Sequence, residues 1–276
     1  MLITVETSGI APSLISGASS FSGARLAVLA SGRGSDFQSI LDHIRLGVLQ
    51  NVEAALLISN TPDAYAMERA RKAGVAVEYI EGVVGKKYPD KESRIRARQA
   101  FDAEALRILK QYDATVIALA GFNQIVTPVI IDEYRMRIMN IHPAYDVKRY
   151  GGVGMVGDHV HEAVLANHEQ YSGCTVHYVE AAVDLGPAIL RQLVPVKPGD
   201  TVRSLADRIL VWEHRSYSKA IQIHVDGQFE RRRDLSEQDL TNDEGEKRWN
   251  QRQQRYLEYQ QEHAVELYGR PLEEIL

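Results

Sequence analysis

The fold of this chain is decided by the stretch LAVLASGRGSD, residues 26–36. Its first five residues form a compact apolar run, which is typical of a central strand buried on both faces of a sheet. After the glycine turn, Phe37, Ile40, Leu41 and Ile44 follow the i, i+3, i+4, i+7 spacing of an amphipathic helix. A strand, a tight glycine turn and a helix in this order predict the start of a βαβ unit.

The same alternation of strand and helix continues along the chain. Capping residues and prolines predict one helix that begins within 60–63 and another that runs from Pro89-Asp90 to about Tyr112. Further apolar runs predict strands at residues 54–59, 75–80, 114–120 and 138–141. We therefore expect an α/β fold with a doubly wound, mostly parallel, Rossmann-like sheet, whose ligands gather at the carboxyl ends of the strands.

The second half of the chain is predicted to add a glycine-dense loop, two strands and two helices. The loop covers residues 150–157, the strands cover 174–179 and 188–196, and the helices begin at His159 and after Asp200-Thr201. The second of these helices carries Glu213.

Two flanking segments are predicted outside a main domain at residues 25–225. Residues 1–24 form a leader in which 2–5 can pair as an edge strand, and residues 226–276 form a polar linker with Arg231-Arg232-Arg233 followed by a helix. One stripe of that helix is predicted to pack on the body of the protein or on a partner subunit; its residues are Trp249, Tyr256, Tyr259, His263 and Leu267. This second possibility allows a homodimer.

Composition excludes several classes of protein. The 276 residues are 45% hydrophobic and 25% charged with a formal net charge of −5, so no basic excess indicates a nucleic-acid partner. No apolar run approaches the about 18 residues of a membrane span, so no membrane partner is expected. Cys174 is the only cysteine, and the first two dozen residues lack the basic start of a signal peptide. These features predict a soluble, cytoplasmic protein.

A first candidate site lies in residues 137–143, where Pro143 ends a short buried strand. Residues two apart in a strand face the same side, so Asn140 and His142 point together. An amide and an imidazole aimed one way are suited to stabilise a developing negative charge. Taken alone, the pair is explained more simply as hydrogen bonding at a strand terminus.

The glycine turn is a candidate phosphate site. Gly32, Arg33, Gly34 and Ser35 precede a predicted helix, and backbone N–H groups at a helix N-terminus bind anions. The third glycine of a dinucleotide-binding motif is absent, and so is a Walker lysine, which favours a single phosphate over a dinucleotide or a Walker-type nucleotide site. A plain tight turn is the structural alternative. Asp36 is expected to cap the helix with its carboxylate turned aside.

Asp184 is the third candidate, because it lies in a turn that can return to the same edge of the sheet. A carboxylate beside an imidazole favours the imidazolium and fixes the orientation of its ring. It can also move a proton between an attacking amine and a leaving group. Alone, Asp-x-Gly-Pro is simply a good turn sequence.

Several ordered motifs together resemble the phosphoribosylglycinamide formyltransferases, the folate-dependent enzymes of purine synthesis. The resemblance runs from about Arg25 to His224. It rests on LASGRGSDFQ at 29–38, ISN at 58–60, ALAGF at 118–122, NIHPA at 140–144, DLGPAI at 184–189 and EH at 213–214. The loop GGVGMVG at 151–157 resembles one subgroup of the family.

The resemblance implies formyl transfer from 10-formyltetrahydrofolate to the amine of glycinamide ribonucleotide. Asn140 and His142 would stabilise a tetrahedral oxyanion, and Asp184 would assist proton transfer. No metal is implied. The implied binding residues are Gly32, Arg33, Gly34 and Ser35 for the substrate phosphate, Glu213 for the ribose, and Leu119, Ala120, Gly121, Phe122 and Val183 for the folate.

Three departures from the family pattern put the acceptor amine in question. Asn123-Gln124 replace a frequent Met-Arg, Asp36 replaces an Asn beside the phosphate, and residues 144–147 lack the usual Leu-Leu-Pro. The alternatives are a formyltransferase acting on another small amine such as an amino sugar-nucleotide, a 10-formyltetrahydrofolate hydrolase, and an inactive folate- or nucleotide-binding regulator. A dinucleotide dehydrogenase is the weakest alternative, since the glycine fingerprint is incomplete.

Overall fold

The computed structural model describes residues 22–230 and 243–276. The predicted edge strand at 2–5 and the arginines at 231–233 lie outside these ranges. The first strand starts at Ala24, and the division at residues 25 and 225 stays a prediction.

A single seven-stranded sheet has the order β3-β2-β1-β4-β5-β6-β7. Strands β1 to β5 pair in parallel, whereas β6 runs antiparallel to β5 and β7 antiparallel to β6. The strands are β1 Ala24–Ala30, β2 Val52–Ser59, β3 Ala76–Tyr79, β4 Val116–Leu119, β5 Ile138–His142, β6 Tyr171–Tyr178 and β7 Ala188–Pro195. The predicted doubly wound, mostly parallel sheet is thus confirmed.

The helices connect the strands and extend the chain beyond the sheet. They are α1 Ser35–Arg45, α2 Tyr65–Lys72, α3 Lys91–Gln111, α4 Pro128–Ile131, α5 Val147–Tyr150, α6 Asp158–Ala166, α7 Val202–Val225, α8 Glu244–Glu262, α9 Ala264–Tyr268 and α10 Leu272–Ile275. In the part of the chain that the structure describes, no helix is long and apolar enough to span a bilayer.

The predicted start of α2 was wrong by a few residues. The helix begins at Tyr65 after Ala64, without a side-chain cap, although Asn60 and Pro62 were expected to open it. Asn60 is engaged elsewhere, because its Oδ1 accepts a hydrogen bond of 2.6 Å from Ser31 Oγ. A tertiary contact therefore replaced the local capping function that the sequence suggested.

Strand β1 supplies the centre of the core on both faces of the sheet. Leu26 and Val28 belong to the cluster under α1, α6 and α7, and Ala27 and Leu29 belong to the cluster under α3 and α4. All four side chains are fully buried. This confirms that the apolar run at 26–30 is a central strand covered on both sides.

The C-terminal segment packs on the body of the same chain. The side chains of α8 that are buried lie one turn apart, at Trp249, Gln253, Tyr256 and Gln260. The predicted single stripe through Leu267 was wrong, because α8 ends at Glu262. The break at His263 lets Tyr268, Leu272 and Ile275 form a second cluster against Val211 of α7.

Candidate active site

The candidate residues lie where parallel strands β1, β4 and β5 end. The backbone N–H of Ser31, directly after β1, donates to Gly121 O after β4 at 3.1 Å. In the sheet register Leu119 at the end of β4 pairs with Asn140 in β5. The glycine turn, the β4 loop and the end of β5 are thus neighbours at one edge of the sheet.

The Asp184 carboxylate joins the two strand residues that the sequence singled out. Asn140 Nδ2 donates to Asp184 Oδ1 at 3.4 Å, and His142 Nδ1 lies 3.6 Å from Asp184 Oδ2. Asp184 adopts a left-handed backbone conformation (φ 59°), and its Oδ2 accepts from the backbone N–H of Gly152 at 2.9 Å. The chain therefore brings an amide, an imidazole and a carboxylate together.

The glycine-dense loop makes this approach sterically possible. A Cβ on Gly151 would lie 2.4 Å from Val147 O and 3.2 Å from the Cβ of Asp184. Gly152 has φ 90°, a conformation that favours glycine. The loop thus packs backbone directly against Asp184.

The His142 ring is buried and has protein partners at both nitrogens. Its Nε2 lies 2.6 Å from Tyr150 O, so Nε2 carries the hydrogen and Nδ1 faces Asp184. Burial lowers the pKa of His142, and this effect outweighs the nearby Asp184 charge and the Tyr150 carbonyl, which both raise it. The Asp184 charge thus favours the imidazolium, but burial has the larger effect on the pKa of His142.

Asp184 remains ionised beside the His142 ring. Burial alone would raise the pKa of its carboxyl, but hydrogen bonds from His177 and the Gly152 N–H, with the charges of His142 and His177, bring the pKa below its ordinary value. The site thus has a fixed negative charge in contact with two groups that donate or accept protons.

The structure adds His177 in β6, which the sequence reasoning missed. His177 pairs with Asn140 in the antiparallel register, and its Nε2 lies 3.4 Å from Asn140 Nδ2 and 3.5 Å from Asp184 Oδ1. The alternation of β6 places His177 and Thr175 on one face. Only the antiparallel register between β5 and β6 places His177 beside Asn140.

The glycine turn has the geometry expected of a phosphate site. Gly34 has φ 68°, and a Cβ there would lie 2.7 Å from the Cβ of Ala66. The N–H of Ala66 donates to Gly32 O at 3.0 Å, and Arg69 Nε donates to Arg33 O at 2.9 Å. Helix α1 starts at Ser35, so its first N–H groups lack partners within the helix. The Arg33 side chain is exposed.

Asp36 does not cap α1 as expected. Gly34 is the N-cap, and Asp36 lies in the first turn with its Oδ1 buried and without a hydrogen-bond partner. Burial raises the pKa of Asp36 to about 7. Burial, with the nearby Asp36 charge, also raises the pKa of Glu213 well above its ordinary range. Two carboxyl groups therefore lie close enough beside the phosphate turn to disfavour each other's ionisation.

The predicted folate residues lie in and after β4 and next to Asp184, and two of them have buried side chains. Leu119 and Ala120 are buried, and the Tyr217 hydroxyl donates to Leu119 O at 2.9 Å and lies 3.0 Å from Met139 O. Phe122 packs on Phe101 with ring centroids 6.0 Å apart. The remaining two, Gly121 and Val183, flank the site in the β4 loop and next to Asp184.

Asn123 and Gln124, which depart from the family pattern, have structural partners. The N–H of Asn123 donates to Ser31 Oγ at 2.9 Å, and Asn60 Nδ2 donates to Asn123 Oδ1 at 2.9 Å. Gln124 Oε1 accepts from the N–H of Val83 at 3.0 Å. Asn123 thus ties the β4 loop to the loops after β1 and β2.

Across the described ranges, no group of three or more His, Cys, Asp or Glu side chains is arranged to hold a metal ion.

Comparison with known proteins gives the class. Residues 24–221 match the formyl transferase family, so the chain belongs to that family. Phosphoribosylglycinamide formyltransferase of Escherichia coli (strain K12) is 33% identical over 202 residues, which are 73% of this chain and 87% of that protein. The family resemblance found in the sequence motifs is thereby confirmed.

Two further relatives extend the comparison. The trifunctional purine biosynthetic protein adenosine-3 of Drosophila pseudoobscura pseudoobscura is 37% identical over 209 residues, which are 75% of this chain but 14% of that protein. The crystal structure of glycinamide ribonucleotide transformylase 1 from Symbiobacterium toebii superposes with a TM-score of 0.65 at 36% identity, covering 74% of this chain and 89% of that one. The matches therefore cover the sheet domain and about three quarters of the chain.

Proposed function

We propose that this chain transfers the formyl group of 10-formyltetrahydrofolate to the primary amine of glycinamide ribonucleotide, a step of purine synthesis. The observation that carries the proposal is the Asp184 carboxylate in contact with both Asn140 and His142, at the edge of the sheet where the glycine turn also lies. Membership of the formyl transferase family and the names of the relatives support the same reaction.

The reaction begins when the amine nitrogen attacks the formyl carbon and forms a tetrahedral oxyanion. The Asn140 amide is the neutral donor placed to stabilise that oxygen. The bond between this carbon and N10 of the folate then breaks, while one proton moves from the attacking nitrogen to N10. Asp184, which is ionised and lies next to Asn140 and His142, assists this proton transfer directly or through water.

His142 is the second group placed to stabilise the oxyanion. Burial lowers the pKa of its ring, whereas the Asp184 charge and the Tyr150 carbonyl favour the protonated form. As an imidazolium, which keeps its proton throughout the reaction, the ring offsets the negative charge of the oxyanion. His177, 3.5 Å from Asp184, orients that carboxylate.

The acceptor binds through its phosphate and its ribose. The phosphate lies on the N–H groups of Gly32, Arg33, Gly34 and Ser35 at the start of α1, where the helix dipole favours an anion. The Glu213 carboxyl, whose pKa burial raises well above its ordinary range, hydrogen-bonds the ribose hydroxyls. The pteridine of the folate lies against the backbone of Leu119, Ala120 and Gly121, with Phe122 and Val183 beside it.

One assay tests this function against its alternatives. Purified full-length protein is mixed with 10-formyltetrahydrofolate and either glycinamide ribonucleotide or buffer, and tetrahydrofolate release is followed with formylated product. Product only in the presence of the nucleotide supports the proposal. Release in buffer alone indicates a hydrolase, and no turnover in either mixture indicates a binding protein. Asp184→Asn is the matched inactive control, because it keeps the shape of the side chain and removes the charge that assists proton transfer.

Location and assembly are part of the same proposal. A cytoplasmic enzyme agrees with the single cysteine, buried Cys174. A homodimer remains a prediction, and it does not require the buried stripe of α8, which packs within the chain. Sedimentation equilibrium of the full chain distinguishes monomer from dimer.

A further inference from the structure

The residues 243–276, here called the C-terminal clamp, lie outside the part of the chain that matches the formyl transferase family. They contact α1 and α7, the two helices that carry the phosphate turn and Glu213. Besides apolar contacts, the interface includes buried hydrogen bonds, and because buried polar groups are costly unless they are paired, these hydrogen bonds favour one arrangement of the three parts.

The first polar link joins α1, α7 and α8 at one hydroxyl group. Ser39 Oγ donates to the backbone carbonyl of His214 at 2.8 Å. The Tyr256 hydroxyl lies 3.0 Å from the same Ser39 Oγ. Because Ser39 already donates its hydrogen to His214, its Oγ accepts the hydrogen of Tyr256. Ser39, His214 and Tyr256 are all buried.

The second link fixes the His214 ring through α9. Gln260 Nε2 donates to the Tyr268 hydroxyl at 2.5 Å, so that hydroxyl gives its own hydrogen to His214 Nδ1 at 2.8 Å. Burial lowers the pKa of His214 to about 3, and the ring therefore accepts at Nδ1 as a neutral imidazole. The two rings are also stacked, with centroids 5.3 Å apart.

A third contact attaches the clamp to α1 beside the same turn. The His43 ring stacks on Tyr256 with centroids 3.6 Å apart, and its Nε2 lies 3.3 Å from Gln253 Nε2. His43 Nδ1 donates to Ser39 O at 2.7 Å. The clamp thus contacts α1 at Ser39 and His43, which lie about one and two helical turns after Ser35, the first residue of α1.

These links end next to the acceptor site. His214, held at both its ring and its carbonyl, directly follows Glu213 in α7. Ser39 lies one turn after Ser35 in α1. A shift of either helix would change the separation between the phosphate turn and the Glu213 carboxyl, which bind opposite ends of one rigid ribose phosphate.

We propose that Tyr256 and Tyr268 are positioning residues for the acceptor nucleotide, acting through Ser39 and His214 on the spacing between the phosphate turn and Glu213. This inference rests on the proposed function for the identity of the acceptor. In the proposed function the formyl donor lies against β4 and the loop before Asp184, whereas the polar links of the clamp described above are made to α1 and α7. The effect is therefore specific to one substrate.

The test uses full-length Tyr256→Phe and Tyr268→Phe, which remove one hydroxyl each and keep the rings. We expect the KM for glycinamide ribonucleotide to rise about 5- to 20-fold, with kcat and the KM for 10-formyltetrahydrofolate within about twofold of the unchanged protein. The matched control is Leu272→Ala, which removes a buried apolar side chain of the clamp without touching the polar links. It should lower Tm and leave both KM values within about twofold.

Equal rises in both KM values, no rise in either, or the same rise in Leu272→Ala would overturn the proposal. A second readout does not depend on turnover: the dissociation constant of ribose 5-phosphate, which reaches both the turn and Glu213, should rise at least threefold in the two tyrosine variants and not in Leu272→Ala when measured by calorimetry. If the unchanged protein shows no formyl transfer, the proposed function fails and the ribose 5-phosphate measurement alone decides the role of the clamp. Unchanged affinity for ribose 5-phosphate then rejects that role.

Discussion

At the scale of single residues, Asn140 is the donor that the proposed mechanism depends on most directly. It is half-buried, and its contacts with Asp184 and His177 are both long at 3.4 Å, so its amide can exchange them for a substrate oxygen. We expect Asn140→Ala to lower kcat by about 10²- to 10³-fold, as loss of one oxyanion donor does. Steady-state kinetics measure the loss.

Thermal unfolding provides the control for Asn140→Ala. Because the side chain makes only long hydrogen bonds of 3.4 Å, Tm should change little. Near-normal turnover by a folded variant would remove Asn140 from the mechanism.

Asp36 gives a prediction with a defined pH dependence. Its pKa is raised from 3.8 to about 7 by burial, so in the folded state it binds a proton more tightly than in the unfolded chain. Its ionisation opposes folding once the pH rises above 3.8, and the cost is complete above about 7. Asp36→Asn should therefore raise the free energy of unfolding by about 1–3 kcal/mol at pH 8 and by much less at pH 5.

Urea unfolding at the two pH values measures this difference for Asp36→Asn. The same change should lower the KM for glycinamide ribonucleotide at pH 8, since a negative charge beside the phosphate turn is removed. A gain in stability that is equal at pH 5 and pH 8 would contradict the raised pKa as its cause.

At the scale of elements, the turn between β1 and α1 depends on one glycine and not on its neighbour. Gly34 needs a positive φ and lies against Ala66, whereas a Cβ on Gly32 meets nothing within 4 Å. We expect Gly34→Ala to destabilise the protein by about 2–4 kcal/mol, from strain and overpacking together. Gly32→Ala should cost under about 1 kcal/mol, and equal losses of Tm in the two variants would refute this account of the turn.

At the scale of the whole molecule, one guanidinium ties together three distant parts of the chain. Arg208 in α7 donates to Asp200 Oδ1 and Oδ2 at 2.6 and 2.8 Å, to Pro195 O at the end of β7 at 3.0 Å, and to Ile275 O in α10 at 3.3 Å. Both side chains of the ion pair are buried. Arg208→Met leaves the Asp200 charge unpaired and should cost about 3–5 kcal/mol.

The pH dependence of Asp200 checks the same prediction. Burial would raise its pKa, but the Arg208 hydrogen bonds and charge, with the Lys197 N–H and Ser204, lower it to about 2. The pair therefore stabilises the fold above pH 3.8 and loses its contribution as the pH falls toward 2. Arg203→Met, which breaks an exposed ion pair with Asp207 in the same helix, is the control and should cost about 0.5 kcal/mol or less.

The sequence by itself determined the order of strands and helices and the glycine turn between β1 and α1, because apolar spacing and glycine turns are local properties. It also predicted Asn140, His142 and Asp184 as site residues, since strand alternation and family motifs pointed to them. Only the tertiary structure brought His177 against Asn140, turned Asp36 inward and ended α8 at Glu262. Each of these depends on antiparallel register or on packing between segments far apart in the chain, and the free energy of such contacts has no signature in a local pattern.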